Sequence, residues 1–224
     1  MKGDLYVEEI FGPTIQGEGK TAGKITNFLR LSGCNLHCLY CDTKYSWDRT
    51  SKQYIDEIQE ALKRKKTKSL VITGGEPLLQ QEFLQKLIIK LRNDGWWIEL
   101  ETNGTIIPTK TIHRLINQIN CSPKLAVSGV KKEIRINREA LDFFSRSKKT
   151  IFKFVVDIAS DIDEVNELVE DFKINRQVVY LMAQGISSEE QKQKVDMIIE
   201  LCERYGYRYG PRLHTLIWGN KKGV

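Results

Sequence analysis

Short strand-like segments alternate with helix-like segments along most of this 224-residue chain, and this alternation constrains its fold more than any other feature. Leu70–Ile72, for example, is a β-rich run ended by two glycines, and a helical stripe of apolar residues follows at Phe83–Leu91. Repeated strand–helix units indicate parallel strands joined by right-handed crossovers. The sequence therefore predicts an α/β fold, a partial or modified TIM-like (β/α) barrel with mostly parallel strands, in a single domain over residues 1–224. Short strands are also expected at Lys124–Val127 and Leu213–Trp218.

The residues best suited to chemistry lie directly after the predicted strands. Cys34–Cys41 follow the first strand, Thr73–Pro77 the second and Glu101–Gly104 the third. Ser122–Lys124 and Gln184 also lie at or near strand ends. In parallel barrels the loops after the strands build the active site, and we therefore expect these segments to converge on one site.

Composition narrows the class of protein. No apolar run approaches the ~20 residues that span a bilayer, and Met1–Glu9 lacks the apolar core of a signal peptide, so we expect a cytoplasmic protein with no membrane contact. The net charge of +6 would suit a nucleic acid, an anionic substrate or an acidic protein partner. A basic nucleic-acid-binding module is the less favoured alternative, because the basic residues are scattered and no interleaved basic and aromatic patch is present.

Three of the five cysteines crowd into eight positions, in the order Cys34-Asn-Leu-His-Cys38-Leu-Tyr-Cys41. In a reducing compartment such a group indicates a metal or catalytic site before it indicates disulfides. Three thiolates suit a [4Fe–4S] cluster, whose fourth iron then stays open to a substrate or cofactor.

A closed structural zinc site is the alternative, and it needs a fourth ligand. His37 lies within the same tight loop and is poorly placed to complete a tetrahedron, whereas His113 and His214 stay possible. Cys202 lies on the apolar stripe of a predicted helix and is interpreted as a core residue. Cys121 is interpreted as a small buried residue, although it could line the site.

The cysteine motif with Tyr40 before its last cysteine resembles the radical S-adenosylmethionine superfamily. Thr73-Gly74-Gly75-Glu76-Pro77 resembles the GGEP motif of the same superfamily. That resemblance implies that S-adenosylmethionine binds to the turn around Gly75, and glycine allows the backbone to approach a ligand closely. Alone, Gly-Gly-Glu-Pro would be an ordinary turn before a helix.

Further segments narrow the resemblance. In order along the chain, they read TIQGEG, FLRL, GCNLHCLYCDT, TGGEP, ETNG and SPK. Together they are similar to the 7-carboxy-7-deazaguanine synthase family. The resemblance implies a radical ring contraction that converts 6-carboxy-5,6,7,8-tetrahydropterin into 7-carboxy-7-deazaguanine with loss of ammonia. This reaction is a step toward queuosine and related deazapurines.

The same resemblance assigns roles to residues. Three thiolates, Cys34, Cys38 and Cys41, would hold the cluster, and the hydroxyl of Thr43 would bind Mg²⁺. The residues expected to contact S-adenosylmethionine are Gly75, Ser122, Pro123, Lys124 and Gln184. The residues expected to contact the pterin are Ile15, Gln16, Gly17, Arg30, Thr73, Glu101 and His214.

Five of these roles carry a chemical reason or a reservation. Gln16 can donate and accept toward a pterin edge, and Arg30 can pair with the carboxylate. Glu101 could instead satisfy backbone groups at a strand end, and His214 could be a core histidine. The family often carries a proline where this chain has Ala183, next to Gln184.

The resemblance also implies partners. We expect a flavodoxin or ferredoxin as electron donor and a homodimer. The nearest alternative function is an activating enzyme for a glycyl radical enzyme, which shares the cysteine spacing but acts on a large protein. The TIQGEG segment and Thr43 favour the small pterin substrate.

Overall fold

The computed structural model describes residues 4–49, 51–219 and 221–223. Within them the strands form one sheet with the spatial order β3-β1-β2-β4-β5-β6-β7-β8-β9. From β2 onward, neighbouring strands are parallel, whereas β1 pairs antiparallel with both β2 and β3. The strands are β1 (Asp4–Ile15), β2 (Ile25–Leu31), β3 (Ser51–Tyr54), β4 (Ser69–Gly74), β5 (Trp97–Thr102), β6 (Gln118–Cys121), β7 (Thr150–Val156), β8 (Val179–Ala183) and β9 (Arg208–Tyr209).

Helices follow most of the parallel strands and cover the outer face of the sheet. They are α1 (Ile55–Lys63), α2 (Gln81–Asn93), α3 (Lys110–Leu115), α4 (Lys132–Arg135), α5 (Arg138–Arg146), α6 (Asp161–Asp171), α7 (Ser188–Tyr205) and α8 (Leu213–Trp218). Local capping interactions set the ends of these helices. Helix α7 begins at a capping box between Ser187 and Glu190, and it ends at Gly206, whose φ is +70°.

The core lies between the sheet and these helices. Leu84, Leu87 and Leu91 of α2 are fully buried, as are strand residues such as Ile72 and Leu100. Strands covered on both faces carry near-continuous apolar runs, and this pattern made β4, β5, β7 and β8 predictable. The edge strands β3 and β9 do not pair with each other in the described sheet, so the architecture is a partial barrel, as predicted. No helix in the described ranges has the length and apolar character needed to cross a membrane.

Two of the expected strands are wrong, and β6 was missed. Leu213–Trp218 is the helix α8, and its residues Leu213, Leu216 and Ile217 recur at helical spacing. Lys124–Val127 is a loop that enters a 3₁₀ turn, and the strand of this unit is β6. A hydropathy pattern does not reveal β6, because its residues Gln118 and Asn120 are polar although they are buried.

The antiparallel strand β1 was also missed. Its register against β2 shifts between Val7 and Glu9 and again between Phe11 and Thr14. Each shift breaks the two-residue alternation on which strand prediction depends. The TIQGEG segment thus begins inside a strand, at Thr14 and Ile15, and continues as a loop into the cavity.

Candidate active site

A cavity of about 270 Å³ opens at the carboxyl ends of the parallel strands. Nearly all residues predicted for the site line it: Ile15, Gln16, Gly17, Arg30, Cys34, Cys38, Cys41, Thr43, Thr73, Gly75, Glu101, Ser122, Lys124, Gln184 and His214. Pro123 is buried behind this wall, near Gly104. Convergence of segments from so many strand ends is the arrangement expected of a parallel barrel site.

The cluster loop, Cys34–Cys41, is held by backbone hydrogen bonds. Cys34 N donates to Trp47 O at 3.0 Å, and Cys41 N donates to Cys38 O at 3.1 Å. His37 has a positive φ of 53° and stacks on Trp47, with ring centroids 4.8 Å apart. The histidine is therefore engaged with Trp47 on the outside of the loop.

The three thiols of this loop fit a cluster. Burial raises the pKa of Cys38, the nearby Cys34 and Cys41 raise it further, and Lys124 lowers it. The three cysteines line one cavity together with Lys124, a cation that would favour thiolates. In the described part of the chain, no three His, Cys, Asp or Glu side chains are grouped as ligands of one metal ion. A cubane takes three thiolates and leaves its fourth iron open, whereas a closed zinc site needs a fourth protein ligand, so three cysteines suit a cluster.

The turn Thr73–Pro77, here called the cofactor turn, lies directly against the cluster loop. Gly75 N donates to Leu31 O at 3.0 Å, and Glu76 N donates to Gly33 O at 2.8 Å. A Cβ atom on Gly74 would lie 1.9 Å from Leu31 O, and one on Gly75 would lie 2.2 Å from Gly33 O. Both glycines are therefore required by the approach of the two backbones, in addition to any ligand.

Glu76 of the cofactor turn is fully buried and joins it to the segment after β5. Its carboxylate accepts hydrogen bonds from Leu78 N (3.0 Å), Thr102 Oγ1 (2.9 Å) and Asn103 N (2.7 Å). Burial raises the pKa of Glu76, and these hydrogen bonds oppose the rise. Asn103 in turn donates to Asn35 Oδ1 in the cluster loop at 2.9 Å. Sequence reasoning gave Glu76 no role, although the motif contained it.

Glu101 is a fixed acceptor on the cavity wall. Its carboxylate accepts from Thr73 Oγ1 (2.9 Å), Gln16 Nε2 (3.3 Å) and Lys153 Nζ (3.2 Å). These donors are side chains from three other segments, so Glu101 does not serve to satisfy backbone groups at its own strand end. The side chain keeps 23% exposure toward the cavity.

Gln16 is used differently from the expectation. Its Nε2 donates to Glu99 Oε1 (2.9 Å) as well as to Glu101, and its Oε1 accepts from Glu18 N (3.2 Å). Both amide protons are thus engaged within the protein, and only 3% of the residue is exposed. In this state Gln16 orients Glu101 and has no amide proton left for a pterin.

Arg30 lies on β2, in register with Thr73. Its Nε donates to Glu9 Oε1 at 2.7 Å, and Tyr45 Oη donates to the same oxygen at 3.2 Å. The guanidinium also lies over the ring of Phe11, 5.6 Å from its centroid. Its two outer nitrogens have no hydrogen-bond partner among the described residues, so they are available to a ligand.

Charged side chains from distant parts of the chain form what we call the ion network: Glu18, Asp42, Glu101, Lys153 and Arg212. Arg212 donates from Nε to Glu18 Oε1 (3.0 Å), from Nη1 to Gly185 O (2.6 Å) and from Nη2 to Asp42. Burial alone would raise the pKa of Glu18, but Lys153 and Arg212 bring it well below its ordinary value. Sequence reasoning missed Lys153 and Arg212, because nothing in the sequence pairs charges so far apart.

His214 lies on α8 and faces Gly17. A Cβ atom on Gly17 would lie 2.0 Å from Nδ1 of His214, and Leu213 N donates to Gly17 O at 2.9 Å. Burial lowers the pKa of His214, while Glu18, whose carboxylate lies 3.9 Å from its Nε2, acts in the opposite direction. The imidazole lines the cavity.

The remaining predicted residues have modest contacts. Lys124 Nζ donates to Ser122 Oγ at 3.0 Å, and both residues line the cavity. Gln184 Oε1 accepts from Lys194 Nζ at 2.9 Å. Thr43 Oγ1 lies 3.5 Å from the Sγ of Cys41.

Comparison with known proteins agrees with this geometry. The sequence profile of the Radical SAM superfamily matches residues 29–154. The chain therefore belongs to the radical SAM superfamily, which implies a [4Fe–4S] cluster and S-adenosylmethionine as cofactors.

Individual relatives narrow this class. The chain is 40% identical to 7-carboxy-7-deazaguanine synthase of Pyrobaculum aerophilum, over 98% of this chain and 97% of that protein. It is 33% identical to the synthase of Rhodopirellula baltica, over 98% and 89% of the two chains. The chain belongs to the 7-carboxy-7-deazaguanine synthase family.

A solved structure shows the same fold. The crystal structure of QueE from Escherichia coli superposes with a TM-score of 0.75 and covers 94% of this chain and 95% of that one, at 23% identity. The relatives identify an enzyme of deazapurine biosynthesis and do not favour an activating enzyme for a glycyl radical enzyme.

Proposed function

We propose that this enzyme converts 6-carboxy-5,6,7,8-tetrahydropterin into 7-carboxy-7-deazaguanine by radical ring contraction with loss of ammonia. The proposal rests on one observation above all. A single cavity joins the three cluster cysteines to a fixed carboxylate, Glu101, and to a guanidinium with free donors, Arg30. The family membership supports the same reaction, as a step toward queuosine and related deazapurines.

The cofactor side of the cavity would hold the radical machinery. Cys34, Cys38 and Cys41 would bind the cluster. When bound, the cluster and S-adenosylmethionine would supply the radical chemistry that removes a hydrogen atom from the substrate carbon bearing the carboxylate. The backbone around Gly75 would receive the ammonium group of S-adenosylmethionine, and Lys124 its carboxylate. The other residues proposed on this side are Ser122, Pro123 and Gln184.

The opposite side would hold the pterin. Arg30 can bind the substrate carboxylate through its outer nitrogens while Glu9 keeps the guanidinium in place. Thr73, in register with Arg30, donates to Glu101, so the three side chains form a row across β2, β4 and β5. Adjacent strands lie roughly 4.8 Å apart, so this row suits a flat bicyclic substrate. Ile15, Gln16, Gly17 and His214 would close the pocket around the ring.

Mg²⁺ is proposed as a further cofactor, with the hydroxyl of Thr43 as its protein ligand. A hard cation that keeps several waters needs few protein oxygens. Thr43 lies next to Asp42 and Cys41 on the cavity wall, where substrate oxygens could complete the shell.

Partners are also part of the proposal. A flavodoxin or ferredoxin would supply the electron for the cluster, and the net charge of +6 suits an acidic donor. We further propose a homodimer and a cytoplasmic location, where a reducing environment would keep the cysteines free of disulfides.

The decisive experiment follows the hydrogen atom. The reconstituted protein is incubated anaerobically with substrate deuterated at the carbon bearing the carboxylate. We expect the product mass of 7-carboxy-7-deazaguanine, deuterium in the recovered S-adenosylmethionine and many products per cofactor consumed. Stoichiometric 5′-deoxyadenosine with an unlabelled cofactor would refute the ring contraction and indicate a protein substrate.

A further inference from the structure

Lys153 lies in the wall of the cavity, yet the cofactor-binding roles above leave it without a function. It belongs to β7, and its side chain is only 4% exposed. Its Nζ donates to Glu18 Oε2 at 2.7 Å and to Glu101 Oε1 at 3.2 Å. Burial alone would lower the pKa of Lys153, but the two carboxylates raise it above its ordinary value. The side chain is therefore an ammonium group, which can only donate.

An ammonium group has three N–H donors. Among the described residues, Glu18 and Glu101 are the two hydrogen-bond acceptors of Lys153, so one donor is left on a side chain that lines the cavity. A buried donor without a partner is costly, and a ligand acceptor at this point would remove that cost.

The neighbouring groups define which acceptor fits. Glu101, an acceptor, and Lys153, a donor, lie side by side and face the same space. The 2-amino-4-oxopyrimidine edge of a pterin presents the complementary order: the 2-amino N–H, the N3–H and then the 4-oxo oxygen. One ring donor would meet the acceptor position that Glu101 has left on Oε2 beside Thr73, and the oxygen would meet Lys153.

Charge favours a neutral oxygen over the substrate carboxylate at this point. The ion network holds three carboxylates, Glu18, Asp42 and Glu101, against two cations, Lys153 and Arg212. A further carboxylate would add to this excess of negative charge, whereas a carbonyl dipole would not.

We propose that Lys153 is a specificity-determining residue that donates a hydrogen bond to the 4-oxo group of the pterin, beside Glu101. This inference rests on the proposed function, because it assumes a pterin substrate. Under this proposal, Glu101 on β5 and Lys153 on β7 together select the pyrimidine edge.

The test measures ligand binding instead of turnover. Holoenzyme with S-adenosylmethionine and Mg²⁺ is titrated calorimetrically with 6-carboxypterin and with 2,4-diamino-6-carboxypteridine, which has a 4-amino group in place of the 4-oxo group and a bare N3 in place of N3–H. Both titrations are repeated with Lys153→Met. We expect the variant to lose about 10- to 100-fold in affinity for the oxo ligand, the value of a hydrogen bond to a charged group. The affinity for the diamino ligand should not change, so the ratio of the two dissociation constants should shift by that factor.

A matched control is Lys149→Met. The ammonium of Lys149 donates to the carbonyl oxygens of His113 (2.8 Å), Arg114 (2.9 Å) and Ile116 (2.8 Å), away from the cavity. Loss of this ammonium group should lower the melting temperature and leave the ratio of the two dissociation constants unchanged. If Lys153→Met does not fold, the Glu18→Gln/Lys153→Met double variant removes one unpaired carboxylate together with the ammonium.

The outcomes distinguish failure of this inference from failure of the proposed function. An unchanged ratio in a folded Lys153 variant overturns this inference alone. Wild-type protein that binds neither pteridine overturns the proposed function and this inference with it.

Discussion

The two sides of the cavity are built by different forces. On the cofactor side, the cluster loop and the cofactor turn meet backbone to backbone, and Gly74 and Gly75 leave no space for a Cβ atom. On the substrate side, side chains from distant segments meet in the ion network, with Lys153 and Arg212 nearly buried. Backbone contact requires particular small residues within short motifs, whereas an ion network requires only complementary charges that the fold brings together.

The largest effect is expected on the cofactor side, from loss of a ligand. Cys38→Ala should abolish cluster absorbance, or leave an unstable cluster, and abolish turnover, because two thiolates hold a cubane poorly. Cys202→Ala is the control, since this cysteine is buried in the core and should cost only packing stability. Absorbance spectra of reconstituted proteins with an activity assay decide the point, and an active Cys38→Ala enzyme would contradict the assignment.

The next effect tests the ion network. Arg212→Met leaves Glu18 and Asp42 without this partner, and breaking a buried pair costs about 3–5 kcal/mol. The matched control is Arg138→Met, which breaks an exposed pair with Asp171 and should cost at most about 1 kcal/mol. Urea unfolding measures both. Similar losses of unfolding free energy in the two variants would show that the network does not stabilise the substrate side.

The same network predicts a dependence on pH. The pKa of Glu18 is lowered in the folded protein, so its contribution to stability is present above its ordinary value of 4.5 and is lost as the pH falls below that value. The stability difference between wild type and Glu18→Gln, which has no carboxyl at this position, should therefore narrow below about pH 4.5. A constant difference down to pH 3 would contradict the lowered pKa.

Crowding of the cofactor turn should have a somewhat smaller cost. Gly75→Ala places a methyl group 2.2 Å from Gly33 O and 2.9 Å from the Cβ of Cys34, so one backbone must move. This movement should cost about 3 kcal/mol of stability. Gly95→Ala has open space but a positive φ, and should cost about 1 kcal/mol. Thermal melts compare the two. Weaker cluster retention in Gly75→Ala alone would confirm that the turn supports the cluster loop.

On the substrate side, Arg30 distinguishes a binding role from a structural one. Arg30→Lys keeps the charge but loses the two-point geometry. We expect KM for the pterin to rise about 10-fold or more, and to rise further in Arg30→Ala. Thermal melts of the same proteins serve as the control. A lowered melting temperature with unchanged KM would instead make Arg30 a structural partner of Glu9.

The smallest effect concerns Mg²⁺. Thr43→Ala removes the proposed oxygen ligand, while Thr43→Ser keeps it. Loss of one such hydroxyl contact is worth on the order of 1 kcal/mol, so Ala should require several-fold more Mg²⁺ for half-maximal stimulation and Ser should not. Equal Mg²⁺ titrations in both variants would place the metal elsewhere.

Much of the fold could be predicted from hydropathy. The strands β4, β5, β7 and β8 carry apolar runs, and the helices α2 and α7 carry stripes, because each buries those residues. Hydropathy failed at β6, where Gln118 and Asn120 are buried and polar, and at β1, where register shifts interrupt the alternation.

The sequence by itself determined the cofactor side of this protein. CxxxCxxC and GGEP are short motifs whose residues are dictated by a cluster and by close backbone contact, and such demands act on neighbours in the chain. Only the tertiary structure decided the substrate side. Glu18 and Arg212 are 194 residues apart, and Lys153 lies 52 residues from Glu101. Coulombic attraction depends on distance in space, so no local pattern could reveal which charges would meet there.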